Sequence, residues 1–433
     1  MASSSHIVVI GQAVLQTVSE HAGQDYVVTP KRAGILGLTA AIQIQDLIHS
    51  QSLPYKILLV AKDFPVVTPG DPTTSPSPNY ASMHAGAHVR PIPASSPQLA
   101  REARWLKRAC QVFAAQAAHE PWMGVIQVPG VEYFENPVPE HYRSLDAESF
   151  HQQSGLTGFR WLDATTELPK GVSLGYEYQT YCIYSSVYCA ALLRKFILRG
   201  GQVLRAEFKC EDEAFSLADR VELVVNASGM GFGDKNCFPI RGQVVLTNLQ
   251  ATKTITRQNA NGTWSFVIPR AFGEGTIVGG TKEPHDWDAQ PRPATTETLV
   301  ASAFKDLGAL DDNENDRNTS RPVTVVKEVV GRRPAREGGV RLEIEERAAP
   351  RPEPNQGTKN RFESKSTMTI VHAYGAGGRG FFGGEEDKKE NQHEHEHGCR
   401  KDSRREESKR VRVPRELQWD LVMSSNDDVS LCS

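Results

Sequence analysis

His6-Ile-Val-Val-Ile-Gly11 and, after residues 12–32, Ala33-Gly34-Ile35-Leu36-Gly37 are the stretch on which the reading of this chain turns. Residues 6–10 form a short apolar run that ends on a turn residue, the pattern of a buried strand. Joined directly, the two pieces read VVIG-AGILGL, an uninterrupted GxGxxG with a strand before it and a helix after it. A dinucleotide loop needs glycines there because backbone N–H groups must approach the pyrophosphate, and the following helix turns its positive end toward it. Taken alone, the broken motif also fits an ordinary strand, turn and helix. Residues 12–32 then form an insertion in the tightest turn of the motif. They are either an excursion that keeps Gly11 and Gly34 close, or untranslated sequence such as a retained intron, and the second is the expectation.

Working outward, residues 34–49 carry Leu38, Ala41, Ile42, Ile44, Leu47 and Ile48 at helical spacing, and Tyr55–Ala61 (YKILLVA) reads as a second buried strand. Lys62-Asp63 follows it, with an acid where a dinucleotide ribose would need an acceptor, completing a βαβ unit. Residues 65–78 are a loop rich in Pro, Thr and Ser. After it, Tyr80-Ala-Ser-Met-His-Ala-Gly-Ala-His88-Val-Arg90 offers small residues that let backbone approach a ligand. Ser95-Ser96-Pro97 caps a helix through Trp105, Leu106, Val112 and Phe113, and residues 178–199 read as another helix ending at Gly200-Gly201. Residues 220–226 (RVELVVN) form a buried strand meeting Ala227-Ser228-Gly229. Strands at 243–246, 264–268 and 276–278 predict an antiparallel sheet in a second domain.

The totals exclude several classes. With 433 residues, 39% hydrophobic and 23% charged, the chain is long enough for two cores, and a net charge of −3 gives no bulk attraction to nucleic acid or anionic membrane. No apolar run reaches the ~20 residues that cross a bilayer, so a soluble protein is expected. The scattered cysteines, with no CxxC pair, point to a reduced compartment, and Cys182 and Cys189 read as packing residues. The N-x-S/T matches at Asn226, Asn261 and Asn318 read as chance in the absence of a secretory signal. Residues 385–416 are dominated by Glu, Lys, Arg, His and Asp with almost no apolar residues, a composition that cannot bury enough surface to fold. His393, His395, His397 and Cys399 alternate with Glu in that tail and read as solvated, so no metal site is expected.

One segment is specific. Ile370-Val-His372-Ala-Tyr374-Gly-Ala-Gly377-Gly378-Arg379-Gly380 resembles the signature of the D-amino-acid oxidase family, which includes the D-aspartate oxidases. Further resemblance lies in residues 80–90, 224–229, 240–243, 267–270 with 279–281, and 331–336 with 340–343, so that it spans residues 6–381 in order, apart from the insertion.

The resemblance implies an α/β protein in which a Rossmann-like FAD-binding domain (1–90, 170–230 and 331–381, with 12–32 inserted) is interleaved with an α+β substrate domain (91–169 and 231–330) on a mixed, largely antiparallel sheet, before a disordered charged tail (382–433). It also implies oxidation of a D-amino acid by FAD, reoxidised by oxygen with release of hydrogen peroxide. The implied partners are those small molecules, without nucleic acid or membrane, and a homodimer is the candidate assembly.

By position in the family motifs, Arg333 grips the substrate α-carboxylate, the Gly378 carbonyl holds the amine, and Phe266 shapes the pocket. Many relatives have tyrosine at the Phe266 position, and a phenyl ring donates no hydrogen bond. Gly11, Ala33, Gly34, Ile35, Gly37, Asp63, Ser82, Ala85, Gly86, Ala87, Gly229, Gly377, Gly378, Arg379, Gly380 and Phe381 are the implied FAD contacts. After Gly380 the chain departs from the family pattern, with Phe382-Gly383-Gly384 running into the charged tail, as a shifted frame or missed splice site would produce. It ends Leu431-Cys432-Ser433 in place of the peroxisomal SKL address, leaving cytoplasm or peroxisome as the expected location. Two other readings stand beside this one. An acidic substrate would need His88, Arg90 or Arg332 to meet a second carboxylate, and an inactive remnant would keep the outline of the fold without holding FAD.

Overall fold

The computed structural model describes residues 5–10, 12–17, 26–65, 76–92, 97–218, 221–307, 323–348 and 367–379. Its first sheet runs in the order Arg341–Ala348, Thr367–Tyr374, Val221–Asn226, Ser5–Ile10, Tyr55–Ala61, Gln202–Arg205. All neighbours are parallel except the edge strand Arg341–Ala348. Parallel strands are covered on both faces and so read as continuous apolar runs. Accordingly, Ile7 and Val9 pack with the helix Ile35–Ser50 on one face, while Val8, Val60, Val224 and Ile370 pack with Phe208 and Ala214 on the other. Each such fully buried side chain contributes ~1.5–3 kcal/mol relative to exposure. The helix Ser185–Leu198 lies beside Ile35–Ser50, tied by the Gln45 Nε2 hydrogen bond to Phe196 O at 2.9 Å.

The inserted segment pairs with itself. Gln12–Thr17 and Tyr26–Arg32 form a separate antiparallel pair in which Gln12 faces Arg32. Antiparallel pairing returns the chain to where it left, so the excursion keeps Ala33 and Gly34 close to the end of Ser5–Ile10, and Ala33 N donates to Asp63 O at 2.9 Å.

The second sheet has the order Glu283–Pro284, Cys237–Thr247, Thr276–Gly279, Trp264–Pro269, Thr254–Gln258, Val125–Phe134, Leu174–Tyr184, Gly86–His88. Val325–Arg336 pairs with Cys237–Thr247, and Thr157–Trp161 with Leu174–Tyr184. Its pairings are antiparallel except that of Thr254–Gln258 with Val125–Phe134, so the sheet is mixed and largely antiparallel.

One sequence expectation is corrected here. Residues 178–184 are strand, not helix: Tyr176, Tyr178, Thr180 and Cys182 alternate into the core, and the strand pairs along its length with Val125–Phe134 before the helix starts at Ser185. Segments 86–88, 174–184 and 331–336, which the sequence division assigned to the FAD-binding part, are hydrogen-bonded into the second sheet.

The described cysteines, Cys110, Cys182, Cys189, Cys210 and Cys237, are free thiols. Among the described residues no helix is long and apolar enough to cross a membrane, and no cluster of His, Cys, Asp or Glu is placed to hold a metal. Residues 382–433, with the His393–Cys399 cluster, lie outside the described residues.

Candidate active site

A cavity opens where the carboxyl ends of the first sheet meet the face of the second. One side of it is built for close backbone approach. Gly34, Ile35 and Leu36 begin the helix Ile35–Ser50, and Gly34 is extended (φ −78°, ψ 176°), so the amino end of the helix faces the cavity. Ile35 N donates to Ser82 Oγ at 3.0 Å, and Tyr80 OH donates to Ala33 O at 2.5 Å, fixing the loop against residues 80–82. Ala85, Gly86 and Ala87 continue that wall. Ala227 and Gly229 follow the strand Val221–Asn226, and Gly377 and Gly378 follow Thr367–Tyr374, with Gly375 N donating to Gly229 O at 2.8 Å. This donor-rich, side-chain-poor wall fits a dinucleotide pyrophosphate. Asp63, two residues after the strand Tyr55–Ala61, carries ion pairs from Arg32 at 3.2 Å and Arg205 at 3.7 Å.

The opposite side carries the reactive side chains. Strand alternation sends Arg333 and Gly331 into the cavity and Arg332 to the other face, where its Nη1 donates to Trp287 O at 2.6 Å. Arg332 is therefore turned away from any substrate beside Arg333, which corrects its candidacy as a partner for a second carboxylate. Arg333 is half-buried, and among the described residues no protein acceptor takes a hydrogen bond from its guanidinium. Its seat exists because position 242 has no side chain: a Cβ there would lie 2.8 Å from Arg333 Nη2. Gly378 borders the same arginine from the first sheet, 3.9 Å from Arg333 Cδ by the same measure.

Phe266 lies over its cross-strand neighbour Gly279, where a Cβ would come within 2.3 Å of the ring. Overpacking of this kind costs ~1–3 kcal/mol. Gly279→Ala is therefore expected to destabilise the protein by about that much in denaturant unfolding. Combined with Phe266→Leu, the loss should be smaller than the sum of the two single losses. Strict additivity would show that the ring does not rest on this glycine.

His88 is buried, with Nε2 3.3 Å from Thr256 Oγ1, and burial followed by the charge of Arg90 pushes its pKa down to about 3. Arg90 donates from Nε to Glu132 Oε1 at 2.8 Å and from Nη2 to Oε2 at 2.5 Å, while Tyr178 OH donates to Oε1 at 3.1 Å. Burial opposes the charge on Arg90, but Glu132 more than offsets it and holds the guanidinium protonated. On its other face Arg90 stacks over the Trp264 ring, 4.2 Å from the centroid.

The cavity thus gathers Gly34, Ile35, Ser82, Ala85, Gly86, Ala87, Gly229, Phe266, Arg333, Gly377 and Gly378. Ala33 and Gly37 are buried and, like Asp63, do not line it. Gly11, Gly380 and Phe381, like the side chain of Arg379, lie outside the described residues. Gly242, Val244 and Thr256 also line it and were missed by the sequence reading. Thr256 arrives as the cross-strand partner of Phe266, a relation that no local pattern encodes.

Comparison with known proteins agrees with this geometry. A family model described as DAO, FAD dependent oxidoreductase, matches residues 33–384, beginning at the residue after the inserted segment. The chain is 39% identical over 357 residues to a D-aspartate oxidase of Talaromyces thermophilus, covering 81% of this chain and 89% of that protein. It is 26% identical over 368 residues to a D-amino-acid oxidase of Fusarium vanettenii, with 81% and 91% covered. Its fold is shared by glycine oxidase from Geobacillus kaustophilus at a TM-score of 0.56 and 14% identity, covering 87% of this chain and 90% of that one. The chain belongs to the DAO family of FAD dependent oxidoreductases.

Proposed function

We propose that this protein converts a D-amino acid, water and oxygen to a 2-oxo acid, ammonia and hydrogen peroxide. The observation that carries the reading is Arg333, a guanidinium without a protein acceptor among the described residues, in one cavity with the helix start at Gly34 and the turn at Gly377–Gly378. A planar guanidinium grips a carboxylate through two parallel hydrogen bonds, fixing both the position and the plane of the substrate. Phe266 offers surface but no hydrogen bond, so carboxylate binding rests on Arg333. The Gly378 carbonyl accepts from the substrate amine. Val244, Ile268 and Phe266 give the cavity an apolar wall that keeps water from the reacting carbon. Bound FAD supplies the two-electron acceptor, which oxygen reoxidises. The substrate loses its Cα hydrogen with the bonding pair and one proton from nitrogen, and water then displaces ammonia from the resulting imino acid.

A preference for acidic substrates is the second reading, favoured by the 39% identity to a protein named D-aspartate oxidase and by His88 at the cavity wall. Arg90 is committed to Glu132, which leaves His88 as the group to meet a side-chain carboxylate. A carboxylate moving beside a neutral buried imidazole would raise its pKa and draw a proton onto it.

The test is direct. Purified protein should be yellow, and anaerobic D-alanine or D-aspartate should bleach the flavin, with the faster of the two deciding side-chain preference. A colourless protein that takes up no added FAD would instead establish the remnant reading. A variant lacking residues 12–32, in which Gly11 meets Ala33, serves as the reference for flavin uptake.

A further inference from the structure

A second cavity lies beyond the first, bounded by the segment after Val125–Phe134, the helix Ala147–Ser154 and the turn at 259–262. Its walls are aromatic, with Phe134, Tyr142 and Tyr176 in mutual ring contact at centroid distances of 4.9 to 6.5 Å. Arg90 and Trp264 line both cavities. What separates the two spaces is therefore a guanidinium stacked on an indole.

The two halves of that partition are held differently. Arg90 is clamped by Glu132 through Nε and Nη2, and losing it would strand a buried carboxylate. Trp264 begins the strand Trp264–Pro269 and makes no hydrogen bond through its indole among the described residues. No side-chain hydrogen bond is lost with the indole, only packing that includes the Arg90 stack, so it is the removable half.

We infer that Trp264 is the size filter of the substrate site: it closes the cavity beside Arg333 against a preformed aromatic cavity and restricts the enzyme to D-amino acids with short side chains. The inference rests on the oxidase reading and on Arg333 as the carboxylate anchor. Removing the indole joins the two spaces and also bares the face of the Arg90 guanidinium. An incoming aromatic side chain would take over the stacking position that the indole had filled, a contact of the cation–π type. The gain should therefore favour aromatic side chains over aliphatic ones of equal length.

The experiment uses the flavin-loaded full chain and its Trp264→Ala, Trp264→Leu and Trp264→Phe variants, with kcat/KM measured for D-alanine, D-leucine and D-phenylalanine. In Trp264→Ala the ratio for D-phenylalanine over D-alanine should rise about tenfold or more, and more than the ratio for D-leucine. Trp264→Leu should move it in the same direction by less, and is the variant to read if the alanine variant fails to retain flavin. Trp264→Phe, which keeps an aromatic wall, should hold the parent ratio. An unchanged or lowered ratio in a variant that still binds flavin and oxidises D-alanine overturns the inference. A parent protein that binds flavin but oxidises no D-amino acid overturns the functional reading, and this one with it.

Discussion

Replacing Arg333 by alanine is expected to lower kcat/KM for the preferred D-amino acid by about thirtyfold to several thousandfold. The range follows from the 2–5 kcal/mol typical of truncating one partner of a desolvated, hydrogen-bonded charge pair, at roughly 1.4 kcal/mol per tenfold. The effect should be large because Phe266 offers no second donor to the carboxylate. Arg333→Lys should recover only part of the loss, since an ammonium is a point charge that cannot form the planar pair. Folding stability should change little in either variant, because among the described residues no protein group depends on Arg333 for a hydrogen bond. Steady-state kinetics and thermal melting of the same preparations separate the two effects. Undiminished kcat/KM would remove Arg333 from the site.

The second large effect falls on stability. Glu132→Ala leaves Arg90 buried without its counterion: the carboxylate and guanidinium side chains are 1% and 9% exposed. Removing one member of such a pair costs ~3–5 kcal/mol, most of it the penalty of an unpaired buried charge. Tyr178 OH loses its acceptor in the same substitution. Glu132→Gln, which keeps the shape and one acceptor oxygen, should cost less. Denaturant unfolding reads both values, and a loss below about 1 kcal/mol for the alanine variant would mean that water reaches the pair and solvates Arg90.

The parts of the fold that were legible are those where one rule acted alone. IVV at residues 7–9, YKILLVA at 55–61 and LVV at 223–225 are strands covered on both faces, and their sequences are nearly pure apolar runs. Residues 174–198 misled because two rules overlap without punctuation. The alternation of Tyr176, Tyr178, Thr180 and Cys182 runs into a helix at Ser185 with neither glycine nor proline between them, and apolar spacing carried the helix reading back into the strand. In the site, Arg333 and Gly378 were legible from a motif. Gly242 and Thr256 were not, because what matters is their place one strand away from Arg333 and Phe266.

The chain passes from one sheet to the other four times, between residues 61 and 86, 184 and 202, 226 and 237, and 336 and 341. Two layers stitched together at four points do not behave like two lobes joined by one tether. Neither half is a continuous length of polypeptide that could be made or unfolded by itself, and a wide swing of one against the other would have to strain several connections together. The groups that meet in the cavity, Arg333 from one layer and Gly34, Gly377 and Gly378 from the other, are thereby joined through several chain crossings and not through one hinge.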